Sequence, residues 1–177
     1  MNIFVVDACP QQAARDLCNV HVRSQLKESA QMLCLPFEKA PYKPSHKNHP
    51  CSVWVRTSRE NYLWLVQHGL QLGAEYFAAY RKVHKSLEVV MWCLTHLEQL
   101  SFPQTGLSPF AQAMPEKYRS NNAVEAYRRY YQAEKTFASW DRGRTPPSWW
   151  QPGASLQTTT ESGRFEIVDG SGSPSPS

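Results

Sequence analysis

Four polar residues of this 177-residue chain, His21, Ser24, Glu28 and Gln31, follow one another at spacings of three and four. On a helix that spacing sets them along one face, where their polar ends can converge. An imidazole beside a carboxylate is the pair that general acid–base chemistry uses, because histidine titrates near neutral pH and an acid can fix its tautomer. His21 and Glu28 are therefore the catalytic candidates, and Gln31 a ligand-binding one. The same pattern also describes a solvated helix face carrying one buried histidine.

Two further segments gather polar chemistry. HKNHPCSVWVR places His46, His49, Trp54 and Arg56 within a short stretch, with Asn61 just beyond it. Donors around one planar cation suit a phosphate or carboxylate ligand. The plainer reading is a proline-terminated loop anchored by Trp54. EYFAAYRKVHKS sets Glu75 and Tyr80 beside His84 and Lys85. Basic and aromatic groups together are what binding a nucleobase with its phosphate requires, although the tyrosines can equally be core and the charges solvated. Arg128 and Arg129, followed by two tyrosines, can track a backbone or form the outer face of an amphipathic helix.

Metal binding finds little support, and no metal site is expected. Cys18 with His21, and His46 with His49 and Cys51, match no known zinc spacing. The chain also lacks a glycine-rich phosphate loop, a nucleophile elbow, an HExxH helix and a zinc-deaminase signature. Nothing in the residues names a cofactor.

The elements that must position these groups are helical. Asn19 is a plausible cap for a helix to about Cys34 with Val22, Leu26, Ser29, Ala30 and Leu33 inward. Ser58 can cap a long helix from Arg59 to about Lys82, with Gly69 and Gly73 on its apolar face, where another helix can approach closely. A helix from Ser86 to about Gln99 has Leu87, Val90, Met91, Leu94 and Leu97 inward, and the last runs from about Ala123 to Ser139. A short helix follows Pro10, preceded at Asn2 to Val6 by a small strand or an extended arm. Residues 36–50 and 101–115 read as proline-broken loops, and WDRGRTPPSWW folds back because three tryptophans are too apolar to leave in water. The expected architecture is an all-α, irregular bundle of about five or six helices, with at most one or two short N-terminal strands. It spans residues 1–150 as one domain, and 151–177 form a disordered Gly/Ser/Thr/Pro-rich tail.

Composition bounds the partners. Residues 1–150 hold 18 Lys and Arg against 12 Asp and Glu, a surplus that favours phosphate-bearing partners without reaching the density of dedicated nucleic-acid binders. Five cysteines without a CxxC pair, and an N-terminus without a secretion signal, point to reduced thiols in a cytoplasm. No apolar run approaches the roughly 18 residues of a membrane span, so no membrane partner is expected.

The segments HVRSQLKESAQML, HKNHPCSVWVR, NYLWL, EYFAAYRKVHKS, PFAQAMPEKYR and EAYRRYYQAEK, with Trp149 and Trp150, together resemble an uncharacterised small protein family of tailed bacteriophages. The likeness covers residues 2–150 in order. Where that family carries an acid, Asp-Lys and Lys, this chain has Cys9, Asn19 with Val20, and Ser24. The resemblance implies a phage-like protein working in a bacterial cytoplasm and brings no activity with it.

Three functions are compatible with these residues. The first is action on nucleic acid or nucleotides, such as base or nucleotide modification, through the His/Glu/Arg/aromatic groups. The second is a non-enzymatic binding protein that captures a nucleotide signal or inhibits a host defence protein. The third is a structural or assembly role. The first requires that residues 21–31, 46–56 and 75–85 surround one cavity.

Overall fold

In the computed structural model, which describes residues 1–151, six α-helices carry the chain. They are α1 (Pro10–Asp16), α2 (Asn19–Cys34), α3 (Pro50–Val55), α4 (Arg59–Tyr80), α5 (Lys85–Thr95) and α6 (Ala123–Glu134). Single 3-10 turns occupy Leu97–Gln99 and Glu116–Tyr118. No strand forms among the described residues, and the only bridge there joins Ser58 to Gln104. The expected all-α bundle is therefore observed. Asn2 to Val6 form the extended arm, with Ile3, Phe4, Val5 and Val6 all buried. The expected tail lies outside the described residues apart from Gln151.

The central pair is α2 and α4, flanked by α1 and α5. On α2 the stripe Val22, Leu26, Ser29, Ala30 and Leu33 is buried as its spacing requires. Cys18, not Asn19, is the residue before the first turn of that helix. On α4 the Ser58 hydroxyl accepts the Asn61 N–H at 3.1 Å, closing the first turn. The two glycines of α4 lie where α5 comes closest. A Cβ at Gly73 would sit 2.6 Å from Leu87 Cδ1, and one at Gly69 would sit 3.2 Å from Val90 Cγ2.

Three further expectations need correction. The buried side of α5 runs through Ser86, Val89, Val90 and Cys93, so Met91 and Leu94 point outward. Apolar residues occupy most of that helix, and spacing alone does not choose the side. α6 stops at Glu134, short of the expected end at Ser139, because Lys135 leaves helical geometry while its N–H still closes on the Tyr131 carbonyl. Finally α3, within a stretch for which no helix is expected, is a helix begun by Pro50 with the His49 side chain as its cap.

The segment after α6 returns across the molecule as the three tryptophans demand. Trp140 Nε1 donates to the Asp16 carbonyl at 3.1 Å and Trp149 Nε1 to Asp16 Oδ2 at 2.7 Å. Arg144 fastens the same strap. Its guanidinium donates to Glu75, to Asn19 Oδ1 and to the carbonyls of Arg15 and Leu17, at 2.8–3.1 Å. The five cysteines are free thiols; those of Cys34 on α2 and Cys93 on α5 are 3.8 Å apart in the core. His68 of α4 is fully enclosed, bonded through Nδ1 to the Pro10 carbonyl and stacked on Trp64, and burial lowers its pKa to about 4.

Candidate functional site

None of the pockets described below is lined by residues of all three segments; the first lines a cleft on α2, the second packs beside the N-terminal arm, where Cys51 Sγ lies 3.5 Å from Asn2 Oδ1, and the third lies at the turn from α4 to α5. A cleft of about 300 Å³ lies between α2, the N-terminal arm and the end of α6. His21, Ser24 and Glu28 line it with Asn2, Phe4, Gln25, Tyr130 and Lys135. Gln31 does not. It lies ten residues beyond His21, which places it about 80° short of three full turns and about 15 Å further along the axis. It lines a separate pocket with Lys27, Tyr42, Lys43 and Ser45.

Within the cleft, His21 and Glu28 are not bonded to one another. His21 stacks on Phe4 at 4.6 Å between ring centroids, and its Nδ1 lies 2.5 Å from the Tyr131 hydroxyl. The group bonded to the ring is therefore a phenol, not a carboxylate. Burial, and next the positive charge of Lys135, lower the His21 pKa to about 4, so the ring is neutral at pH 7. Glu28 holds the arm: its Oε2 accepts the Asn2 N–H at 2.7 Å and the Gln25 Nε2 at 3.1 Å, with the Met1 amino group at 3.7 Å. Lys135 stands over the rings of Tyr130 at 4.9 Å and Phe4 at 5.6 Å. Sequence reasoning assigned no role to Gln25 or Lys135. Gln25 shares the helix face already identified, whereas nothing local marks Lys135.

The residues of the second segment hold structure together. Trp54 is buried against Trp64 and Phe110 and donates from Nε1 to the Ser108 carbonyl at 3.3 Å. Arg56 donates to the carbonyls of Ser52 and Lys47, tying the loop to the end of α3. Asn61 is wholly buried. Its Nδ2 donates to the Trp54 carbonyl and the Ser108 hydroxyl, and its Oδ1 accepts the Ser108 N–H, which pins the 101–115 loop to α4. His49 caps α3, accepting the Cys51 N–H at 3.2 Å, and burial is the first cause of its lowered pKa. His46 is exposed at the loop's left-handed turn, φ 52°.

The third segment builds a surface. Arg142 lies 5.1 Å from the Tyr80 ring, Tyr80 packs on Tyr76 at 4.7 Å, and Tyr76 meets His84 edge-on at 4.9 Å. His84 caps α5 by accepting the Ser86 N–H at 3.1 Å. Its pKa is lowered first by burial, while a hydrogen bond to the Arg23 backbone acts the other way and the charges of Arg23 and Lys27 lower it further. The exposed side chains of Arg81, Lys82 and Lys85 flank this line through the turn from α4 to α5. Lys27 continues into the pocket of about 480 Å³ that Lys43 and Ser45 also line, and there the Tyr42 and Ser86 hydroxyls meet at 2.9 Å. Glu75 belongs to the strap instead, 3.1 Å from Arg144 Nε. Arg81 and Arg142 both adopt the left-handed conformation, with φ of 54° and 55°, unusual for residues other than glycine and asparagine.

Among the described residues, no group of three or more His, Cys, Asp or Glu is arranged to hold a metal ion. No helix there is long and apolar enough to cross a membrane. Compared with models of protein families, with curated proteins and with solved structures, the chain matches none.

Proposed function

We propose that this protein binds nucleic acid without chemistry of its own, along the ridge that runs from Arg142 through Tyr80, Tyr76 and His84 to Lys27. What carries the reading is the sign of that ridge: Arg23, Lys27, Arg81, Lys82, Lys85 and Arg142 are all exposed, while of the acids beside it Glu75 is engaged by Arg144 and Asp141 lies 3.8 Å from Arg142 Nε, so five of the six cations carry no ion pair among the described residues. Such a stripe attracts phosphates over a distance of about one Debye length, roughly 8 Å at physiological salt. The tyrosines beneath it offer ring surface for bases, the arrangement that suits single strands. Two arginines held in left-handed backbone are strain of the kind that clusters at functional sites. A neutral His21 unpaired with Glu28 gives the acid–base alternative less support. The phage-family resemblance suits such a role in a bacterial cytoplasm.

The test is fluorescence anisotropy of a labelled single-stranded oligonucleotide across a salt series. Binding should weaken with salt, and Lys27→Gln with Lys85→Gln should flatten the slope by about 0.7 for each phosphate no longer neutralised. No binding at low salt, or an unchanged slope in the double variant, rejects the proposal.

A second reading is favoured by one observation. The Ser45 hydroxyl is buried without a partner in the pocket beside Lys27 and Lys43. A free nucleotide held there would displace the oligonucleotide competitively and emerge unchanged in the mass spectrum of the complex.

A further inference from the structure

The cleft between α2 and the end of α6 is separate from the basic ridge. His21, Ser24, Gln25 and Glu28 lie about a third of a turn around α2 from Arg23 and Lys27. Its polar groups are unevenly satisfied. Gln25 is only 2% exposed, and its Nε2 donates to Glu28 Oε2 at 3.1 Å. That bond fixes the amide, since the flipped arrangement would set oxygen against a carboxylate. Gln25 Oε1 is thereby left buried with no partner, a state that proteins seldom leave unanswered. On Glu28 every bond falls on Oε2, and Oε1 has no partner among the described residues. Two acceptors along α2 thus lack a partner at the wall of the cleft, Gln25 Oε1 enclosed within it and Glu28 Oε1 beside it, with the Met1 ammonium 3.7 Å from the other Glu28 oxygen.

Across it stands a cation. Lys135 Nζ is held over Tyr130 and Phe4, 3.5 Å from the Tyr130 hydroxyl, and no described carboxylate lies within ion-pair distance of it. Ser24, half-buried, also lines the cleft and makes no hydrogen bond through its hydroxyl among the described residues. A ligand complementary to this arrangement carries N–H donors with positive charge at one end and an anionic oxygen group at the other. An ammonium group has three donors and can meet both orphan acceptors; a carboxylate meets Lys135. A volume of about 300 Å³ is at the small end of ligand sites. We propose that this cleft binds a free α-amino acid, its ammonium group on Gln25 Oε1 and Glu28 Oε1 and its carboxylate on Lys135.

The experiment is a titration of the full chain at pH 7 with each common L-amino acid, followed by ¹H–¹⁵N NMR and calorimetry. At least one should bind with shifts confined to the arm, α2 and the end of α6. For that ligand the N-acetyl derivative and the α-hydroxy acid of the same skeleton should each bind at least about tenfold more weakly, as should the parent ligand to Lys135→Met. Lys39→Gln, which removes an exposed lysine remote from both the cleft and the ridge, should leave the affinity unchanged. Absence of binding by every amino acid, equal binding of the hydroxy acid, or indifference to Lys135→Met would each overturn the proposal. The ligand derivatives test the ammonium end on the unaltered protein, so the outcome does not hinge on how the variant folds. Oligonucleotide binding by the ridge is read independently.

Discussion

The Tyr131 hydroxyl lies 2.5 Å from His21 Nδ1 and at the same time accepts the backbone N–H of Cys18 at 3.1 Å. One phenol on α6 thus serves both a ring on α2 and the backbone that starts α2, across more than a hundred residues of chain. Tyr131→Phe strands two buried groups together. We expect a loss of about 2 kcal/mol, within the range for unsatisfied buried polar groups, measurable by urea denaturation.

Stability should fall as acid is added. His21 and His68 titrate near 4 in the folded protein against an ordinary value of 6.5. Between those values the unfolded chain binds more protons than the folded one, so the contribution of both residues is complete above pH 6.5 and drains away as pH falls toward 4. The shift corresponds to about 3 kcal/mol per residue at most. Urea midpoints at pH 7, 5.5 and 4.5 should decline in that order, and a flat profile would contradict the burial of these rings. In Lys135→Met, the His21 resonance should titrate at higher pH than in the unaltered chain.

Much of the scaffold was legible from residue spacing, and the reason is length. α4 repeats its apolar face over 22 residues behind a serine cap, so period and cap agree. α3 has six residues, too few for a period to emerge. For the site, the grouping of His21, Ser24 and Glu28 is local geometry within one helix and could be read; the drift that carries Gln31 to another pocket accumulates only over its full length. Tyr131 and Arg144 reach their partners across 69 to 129 positions, and Lys135 comes over Phe4 from far along the chain. No spacing rule reports such encounters. Asn61 and Trp54 are polar and aromatic for internal reasons, which composition alone does not distinguish from a binding role.

Arg81→Gly separates strain from function. Glycine adopts φ 54° freely, whereas a side chain there costs about 1 kcal/mol. The variant should melt at a higher temperature while binding oligonucleotide less tightly and with a shallower salt dependence. Higher stability with unchanged binding would remove Arg81 from the ridge.

Arg144 is the other residue whose replacement should be severe. Its side chain is almost wholly buried, and its removal leaves Glu75 with Gln71 alone as donor and takes the Arg144 donor from Asn19 Oδ1 and two carbonyls. Arg144→Ala should destabilise by about 3–5 kcal/mol, as breaking a buried pair does. Arg144→Lys should recover only part of this, because a point-like ammonium lacks the planar fork. Tryptophan fluorescence should report the freeing of Trp140, Trp149 and Trp150.

Asp16 and Trp149 are 133 positions apart. At translation rates of about 5–20 residues per second, the ribosome delivers the indole roughly 7–27 s after the carboxylate it will meet. Throughout that interval the elbow between the first two helices waits unlatched in the nascent polypeptide, so a chaperone has its opening there before synthesis is complete.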